Sequence, residues 1–132
     1  MHETTSFPPC FHRVTIKGLC VRDGKVLLIR ENKELSGKWE LPGGGLDFGE
    51  DIREGFEREI KEEMGLTVTY MSKSPLYVWP HRYEQKRKLD WFYALVVAYR
   101  VDFEHLDFTP SSECQEIRFF SIEELRELNL NG

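Results

Sequence analysis

Three glutamates, Glu59, Glu62 and Glu63, stand at positions i, i+3 and i+4 of one short run. On a helix that spacing puts all three on one side. Like charges so placed repel by roughly 0.2–0.5 kcal/mol per pair. A helix that carries this repulsion is better explained if something positive sits against it, and hard divalent cations prefer such oxygen ligands. The bland reading is a charged, solvated surface helix. Against it stands the preceding segment, Leu41-Pro42-Gly43-Gly44-Gly45, which is too glycine-rich for a regular element. Such a segment can bring backbone groups close to a ligand.

The element that must position the glutamates is a helix from an Asp51 N-cap to about Met64, with Gly65 as its left-handed terminator. Glu54, three residues after Asp51, suits a capping-box-like start. Ile52, Phe56, Ile60 and Met64 recur every four residues as an apolar stripe. At 100° per residue, Glu59 and Glu63 fall within about 20° of Ile52. They therefore point partly towards the core, while Glu62 lies further round. Gly55, one turn before Glu59, keeps that face low and leaves room for a ligand or a sheet.

The rest of the chain supplies the frame. Residues 13–22 alternate and are partly β-branched, Asp23-Gly24 is a hairpin turn signal, and residues 25–30 form the return strand. Residues 31–38 read as a polar loop. Residues 66–79 are mostly strand, broken near Ser74-Pro75, and 80–87 read as a loop. Residues 89–101 are apolar on both parities, which predicts a central strand buried on both faces. A polar loop spans 102–114, a short strand 115–120, and Ser121 caps a final helix over 122–128 with Glu124 as its capping-box partner. Residues 1–11 read as a loosely held arm. The pattern is α/β, with a mixed sheet between helices.

A chain of 132 residues reads as one domain over 1–132, large enough for a real core. Its net charge of −5 argues against nucleic-acid binding through a basic field, but not against a small anion held through a metal. Cys10, Cys20 and Cys114 are scattered and show no metal spacing, so they read as thiols of a reducing compartment. The first residues lack the apolar core of a signal peptide, and the run 91–99 is too short to span a membrane. The expected location is the cytoplasm, with no membrane partner.

Residues 44–66 resemble the signature of the Nudix hydrolases: Gly, five residues, Glu, seven residues, then Arg-Glu-apolar-any-Glu-Glu-any-Gly-apolar. Gly44, Glu50, Arg58, Glu59, Ile60, Glu62, Glu63, Gly65 and Leu66 fill every fixed position. Trp39-Glu40-Leu41-Pro42-Gly43 is similar to the family's usual approach to it. The resemblance implies an α/β/α sandwich with the signature as loop–helix–loop. It implies hydrolysis of a nucleoside diphosphate linked to another group, with Mg²⁺ (or Mn²⁺) as cofactor and water as nucleophile. Nucleotide sugars, dinucleotides and nucleoside triphosphates all remain open as substrates.

Under that resemblance Glu59, Glu62 and Glu63 are the expected metal ligands, completed by the Gly44 carbonyl. Glu59, Glu62 and Arg58 are the expected catalytic group, with Arg58 orienting carboxylates or pairing with Glu50, which is then structural. The general base varies among members and stays open. A further carboxylate often precedes the last strand, so Glu113 and Glu116 are both candidates. Arg30 could contact phosphate or be a strand-end charge. Trp39 could stack on a base, although packing beneath the glycine-rich loop is favoured. Tyr83 fits a tyrosine found in members that act on dinucleoside polyphosphates. The partner is a small nucleotide, and a homodimer is compatible with the sequence. The rival reading is a non-catalytic nucleotide-binding or sensor module on the same fold. Such modules usually have eroded carboxylates, and here all are present.

Overall fold

The computed structural model describes the backbone of residues 10–32, 37–85 and 90–128, and the side chains of all of these except 10–11, 82–85 and 90–92. The expected N-terminal arm therefore lies almost wholly outside the described residues, although Cys10 and Phe11 already belong to a strand.

Strand β1 (Cys10–Leu19) runs into β2 (Val21–Arg22) through Cys20, which is fully buried. Asp23 (φ 51°) and Gly24 (φ 73°) then supply the two positive φ angles that a type I′ turn requires. Strand β3 (Lys25–Arg30) returns antiparallel to β2, so the expected hairpin forms, with its first arm split in two. Strands β4 (Trp39–Glu40) and β5 (Gly43–Gly45) lead into helix α1 (Ile52–Met64). Strands β6 (Val68–Met71), β7 (Tyr77–Gln85), β8 (Asp90–Phe103) and β9 (Glu116–Phe120) follow, and helix α2 (Ile122–Glu127) comes last.

Two sheets result. In the first, β1 lies between β5 and β8, and both β6 and β7 pair along the far side of β8. The β1–β8 pairing is parallel and the others are antiparallel, so the sheet is mixed. In the second, β3 joins β2, β4 and β9, all antiparallel. The fold is a mixed α/β arrangement with two helices, the class expected.

One core holds it together. Phe56, Ile60 and Met64 of α1 meet Ile16 of β1, Leu27 and Ile29 of β3, and Tyr99, Val101 and Phe103 of β8. Ile52, the first member of the expected stripe, is instead 37% exposed. An ideal Cβ at Gly18 would meet Phe56 and Val101, so the missing side chain lets α1 approach the sheet.

Three expectations about the strands need correction. The loop expected over 80–87 is strand as far as Gln85, in register with residues 90–98 of β8. Pro80 is tolerated because β7 pairs on one side only among the described residues, so its missing N–H need not break a ladder. The strand expected over 66–79 shrinks to β6 and the start of β7. Strand β8 is not buried on both faces throughout. Ala94, Val96 and Ala98 are buried on one parity and Tyr99, Val101 and Phe103 on the other, but Leu95 is 46% exposed. An apolar run reports composition, and the layer covering it decides burial.

Helix α2 starts as expected. The Ser121 hydroxyl accepts from the Glu124 N–H at 3.2 Å, and the Ser121 N–H donates to the Glu124 carboxylate at 3.0 Å. None of its residues is buried. Among the described residues no helix is long and apolar enough to cross a membrane.

Candidate metal and catalytic site

The N-cap and terminator of α1 are those the sequence indicated. Asp51 accepts from the Glu54 N–H, and Gly65 adopts φ 69° with its N–H bonded to the Lys61 carbonyl. These ends set the rotation of the helix, and that rotation turns Glu59 and Glu63 towards β5. Glu63 is only 5% exposed, and its carboxylate accepts from the Gly43 N–H at 3.2 Å. An ideal Cβ on Gly44 would lie 2.5 Å from the Glu59 carboxyl carbon. Only glycine leaves that carboxylate room against the backbone.

Gly55 plays a different part from the one expected. The space above it holds Leu46 and Glu50, leaving none for a ligand; a Cβ there would meet Leu46 at 2.5 Å and the Glu50 carboxylate at 3.1 Å.

The third carboxylate comes from far along the chain. Residues 111–114 form a tight turn in which Ser111 and Cys114 exchange backbone hydrogen bonds. The Ser111 hydroxyl donates to the Glu63 carbonyl at 2.7 Å, tying this turn to the end of α1. The Asn32 N–H bonds the Ser112 carbonyl, and the Gln115 N–H bonds the Arg30 carbonyl, which tie it to the end of β3. The turn carries Glu113. Glu59, Glu63 and Glu113 each offer an oxygen within 4.8 Å of the others.

Between the two late carboxylates the geometry separates roles. Glu116 bonds Arg30 at 2.5 Å and stands outside the group of three. Arg30 is thereby engaged, and its guanidinium also lies 5.2 Å above the Trp39 ring. Trp39 packs edge-on against Phe120 of β9 at 5.0 Å, a partner other than the glycine-rich loop expected for it. The side chain of Tyr83 lies outside the described residues.

Arg58 organises the opposite flank. It donates to both oxygens of Glu50 (2.7 and 3.0 Å), to Glu59 (3.2 Å), to Glu62 (3.1 Å) and to the Gly45 carbonyl (3.1 Å). Glu62 is half exposed on this flank and is not one of the three clustered carboxylates. Arg58 first, and then the Asp47 N–H, hold Glu50 down to about 2. Glu50 is thus a permanently charged brace for Arg58.

Burial pushes the Glu63 carboxyl up to about 8. Lys17 and the Gly43 N–H oppose that rise, and Glu59 and Glu113 add to it. Burial also raises Glu59. The pattern is an electrostatic demand for a cation: carboxylates desolvated together, with too little positive charge to balance them. Three convergent carboxylates and a glycine cradle that no side chain fills fit a hard divalent ion of the Mg²⁺ or Mn²⁺ type.

Two features escaped the sequence reading. Ser111, which anchors the Glu113 turn, gave no signal beyond an ordinary loop serine. Lys17 donates from β1 to the carbonyls of Leu41 and Gly43, and only the register of β1 on β5 reveals it. Cys20 and Cys114 stay outside the chemistry. Both are buried and free, and desolvation lifts their thiols to about 11 and about 12, far from reactive thiolates. A hollow of about 390 Å³ lies near the start of β1, lined by His12, Val14, Pro80, Tyr93 and Leu95 among others. It contains none of the clustered carboxylates.

Comparison with known proteins identifies the family. A family model described as the NUDIX domain matches residues 12–132. The chain is 30% identical over 116 residues to an ADP-ribose pyrophosphatase of Methanocaldococcus jannaschii. That match covers 87% of this chain and 65% of the relative, so the chain spans a little less than two thirds of that protein's length. It is also 30% identical over 101 residues to the nucleoside triphosphatase NudI of Enterobacter sp., covering 72% of this chain and 70% of the relative. The crystal structure of a MutT NUDIX hydrolase from Burkholderia pseudomallei superposes with a TM-score of 0.68 at 25% identity, covering 92% of each chain. By the reach of the family model and the agreement of sequence and fold, the chain belongs to the Nudix family.

Proposed function

We propose that the chain hydrolyses the pyrophosphate linkage of a nucleoside diphosphate joined to a second group, with Mg²⁺ or Mn²⁺ as cofactor. The observation that carries this reading is the convergence of Glu59, Glu63 and Glu113 against the Gly44 backbone. Those three carboxylates would hold the cation, and the Gly44 carbonyl is the further ligand that the family resemblance adds. A divalent cation neutralises phosphate charge, polarises the phosphoryl oxygen and lowers the pKa of water.

The chain's own residues supply the rest. Arg58, braced by Glu50, fixes Glu59 in its rotamer and holds Glu62 on the exposed flank. Glu62 is the carboxylate we assign to proton acceptance, because it is exposed and stands outside the clustered three. Water's oxygen bonds to one phosphorus, the bridging P–O bond breaks, and the water proton passes to the carboxylate. Two phosphorylated products leave. The substrate class includes nucleotide sugars, dinucleotides and nucleoside triphosphates. The relatives named above act by name on ADP-ribose and on nucleoside triphosphates, within that range. Free buried thiols suit a reducing compartment, so we place the protein in the cytoplasm.

The test is to incubate the protein with Mg²⁺ and a panel of nucleoside diphosphate conjugates and triphosphates, separating products by chromatography. Hydrolysis should stop in excess chelator, return with Mg²⁺ or Mn²⁺, and be lost in E59Q. Nucleotide binding with no product from any substrate overturns the reading in favour of a binding module.

A further inference from the structure

Lys17, a residue outside the signature, holds the backbone that borders the carboxylate cluster. Three successive carbonyls, those of Leu41, Pro42 and Gly43, are held from one place on β1. The Lys17 ammonium donates to Leu41 at 3.1 Å and to Gly43 at 3.2 Å, and the Gly18 N–H donates to Pro42 at 2.9 Å. The Lys17 side chain is only 15% exposed, so these are its main partners, with Glu40 at 3.8 Å a weak third. The stretch needs such help. Pro42 has no N–H to give, and Gly43 sits at φ 129°, a conformation closed to other residues. The Gly43 N–H in turn donates to Glu63, and the next residue, Gly44, carries the surface against which Glu59 rests.

Resting on the metal-dependent reading above, we propose that Lys17 is a positioning residue. It pins the glycine strand from behind, so that the Gly43 N–H orients Glu63 and the Gly44 backbone faces Glu59, and the cation site is pre-formed. Two of its three donors are engaged on backbone carbonyls, and its role is to hold that backbone.

Charge and positioning predict opposite signs, which makes the idea easy to test. Lys17 is a positive charge near Glu63. If charge were its main effect, removing it would tighten cation binding. If positioning is, removing it leaves two part-buried carbonyls without their lysine donor, loosens the strand and weakens binding. Mn²⁺ affinity is measured by electron paramagnetic resonance on the wild type, K17M and K17R, without substrate, beside thermal melts in chelator. Folded K17M should bind Mn²⁺ about tenfold more weakly, the usual scale for losing a residue that orients ligands. K17R, which keeps donors and charge, should recover most of the loss. With substrate, kcat should fall in K17M while KM moves by less than about threefold. Should K17M not fold, K17Q retains a donor without charge and carries the same comparison. Equal or tighter Mn²⁺ binding by the neutral variant overturns the proposal. Wild-type Mn²⁺ binding without turnover sinks the hydrolase reading alone, and no wild-type binding sinks both.

Discussion

The substitution E63Q separates the cost of the site from its use. Glu63 is 5% exposed and its carboxyl is raised from 4.5 to about 8, mainly by burial. Each pKa unit corresponds to about 1.4 kcal/mol between protonation states, so ionised Glu63 costs the metal-free fold up to about 5 kcal/mol. The direction with pH follows from linkage. The folded carboxyl keeps a proton that the unfolded chain loses above 4.5. Metal-free stability therefore falls as pH rises from 4.5 through about 8, and this decrement is absent at lower pH. E63Q keeps the shape and the acceptor for the Gly43 N–H but cannot ionise. Its amide also brings a buried NH₂ that needs an acceptor, so the net gain at pH 9 is expected at roughly 1–3 kcal/mol. A domain of this size shifts its melting temperature by roughly 4 °C per kcal/mol. In chelator at pH 9 the variant should melt several degrees above wild type, and near pH 4, where Glu63 is protonated and only the cost of the buried amide remains, it should melt below wild type. With Mg²⁺ and a non-hydrolysable nucleotide the order at pH 9 should reverse. Wild type then gains RT ln(1 + [L]/Kd), about 2.7 kcal/mol at a hundredfold excess, and the variant loses much of that gain. A variant that melts lower than wild type in chelator at pH 9, yet turns over substrate normally, would refute the reasoning and make Glu63 a structural residue.

Other substitutions test the remaining geometry. G44A places a methyl group 2.5 Å from the Glu59 carboxyl carbon; Mn²⁺ binding should weaken about tenfold or more, with melting in chelator little changed. E113Q should weaken Mn²⁺ binding while E116Q, which only releases Arg30, should leave it nearly unchanged; equal losses would show that the 4.8 Å cluster is not the site. Replacing Cys20 and Cys114 by Ser should leave turnover within a few-fold and lower stability by about 1–3 kcal/mol each, since a buried hydroxyl needs a partner. A loss of activity in either serine variant at full folding would reveal a missed role.

The features legible in sequence were those written locally. Asp51, Gly65 and the four-residue stripe fixed both ends and most of the buried face of α1, and with them the direction of Glu59 and Glu63. The Asp23-Gly24 turn and the Ser121–Glu124 box are likewise short-range chemistry. What could not be read depends on partners distant in the chain. Glu113 and Glu116 stand three residues apart in similar surroundings. The choice between them falls to Ser111 gripping the end of α1, 48 residues away. Lys17 reads as one polar residue in an alternating strand until β5 is laid beside it 26 residues later. Strand β7 was hidden by Pro80, whose local preference is overridden at a sheet edge. Ile52 keeps the helical period but sits where the core has ended, so periodicity alone assigned it too much burial.

Two cations beside the cluster, Arg58 and Lys17, are already committed, which leaves its carboxylates short of positive charge. A guanidinium has five N–H donors. Arg58 directs hydrogen bonds to both Glu50 oxygens, to Glu59, to Glu62 and to the Gly45 carbonyl, which engages all five. Its charge is shared among Glu50, Asp47, Glu59 and Glu62. Lys17 directs two of its three donors to carbonyls of the glycine strand. Neither can turn to Glu63 or Glu113 without releasing the glycine strand or the signature loop. Burial still raises both Glu59 and Glu63 in spite of them. The two basic residues therefore work as struts: they hold carboxylates in place and leave them under-neutralised.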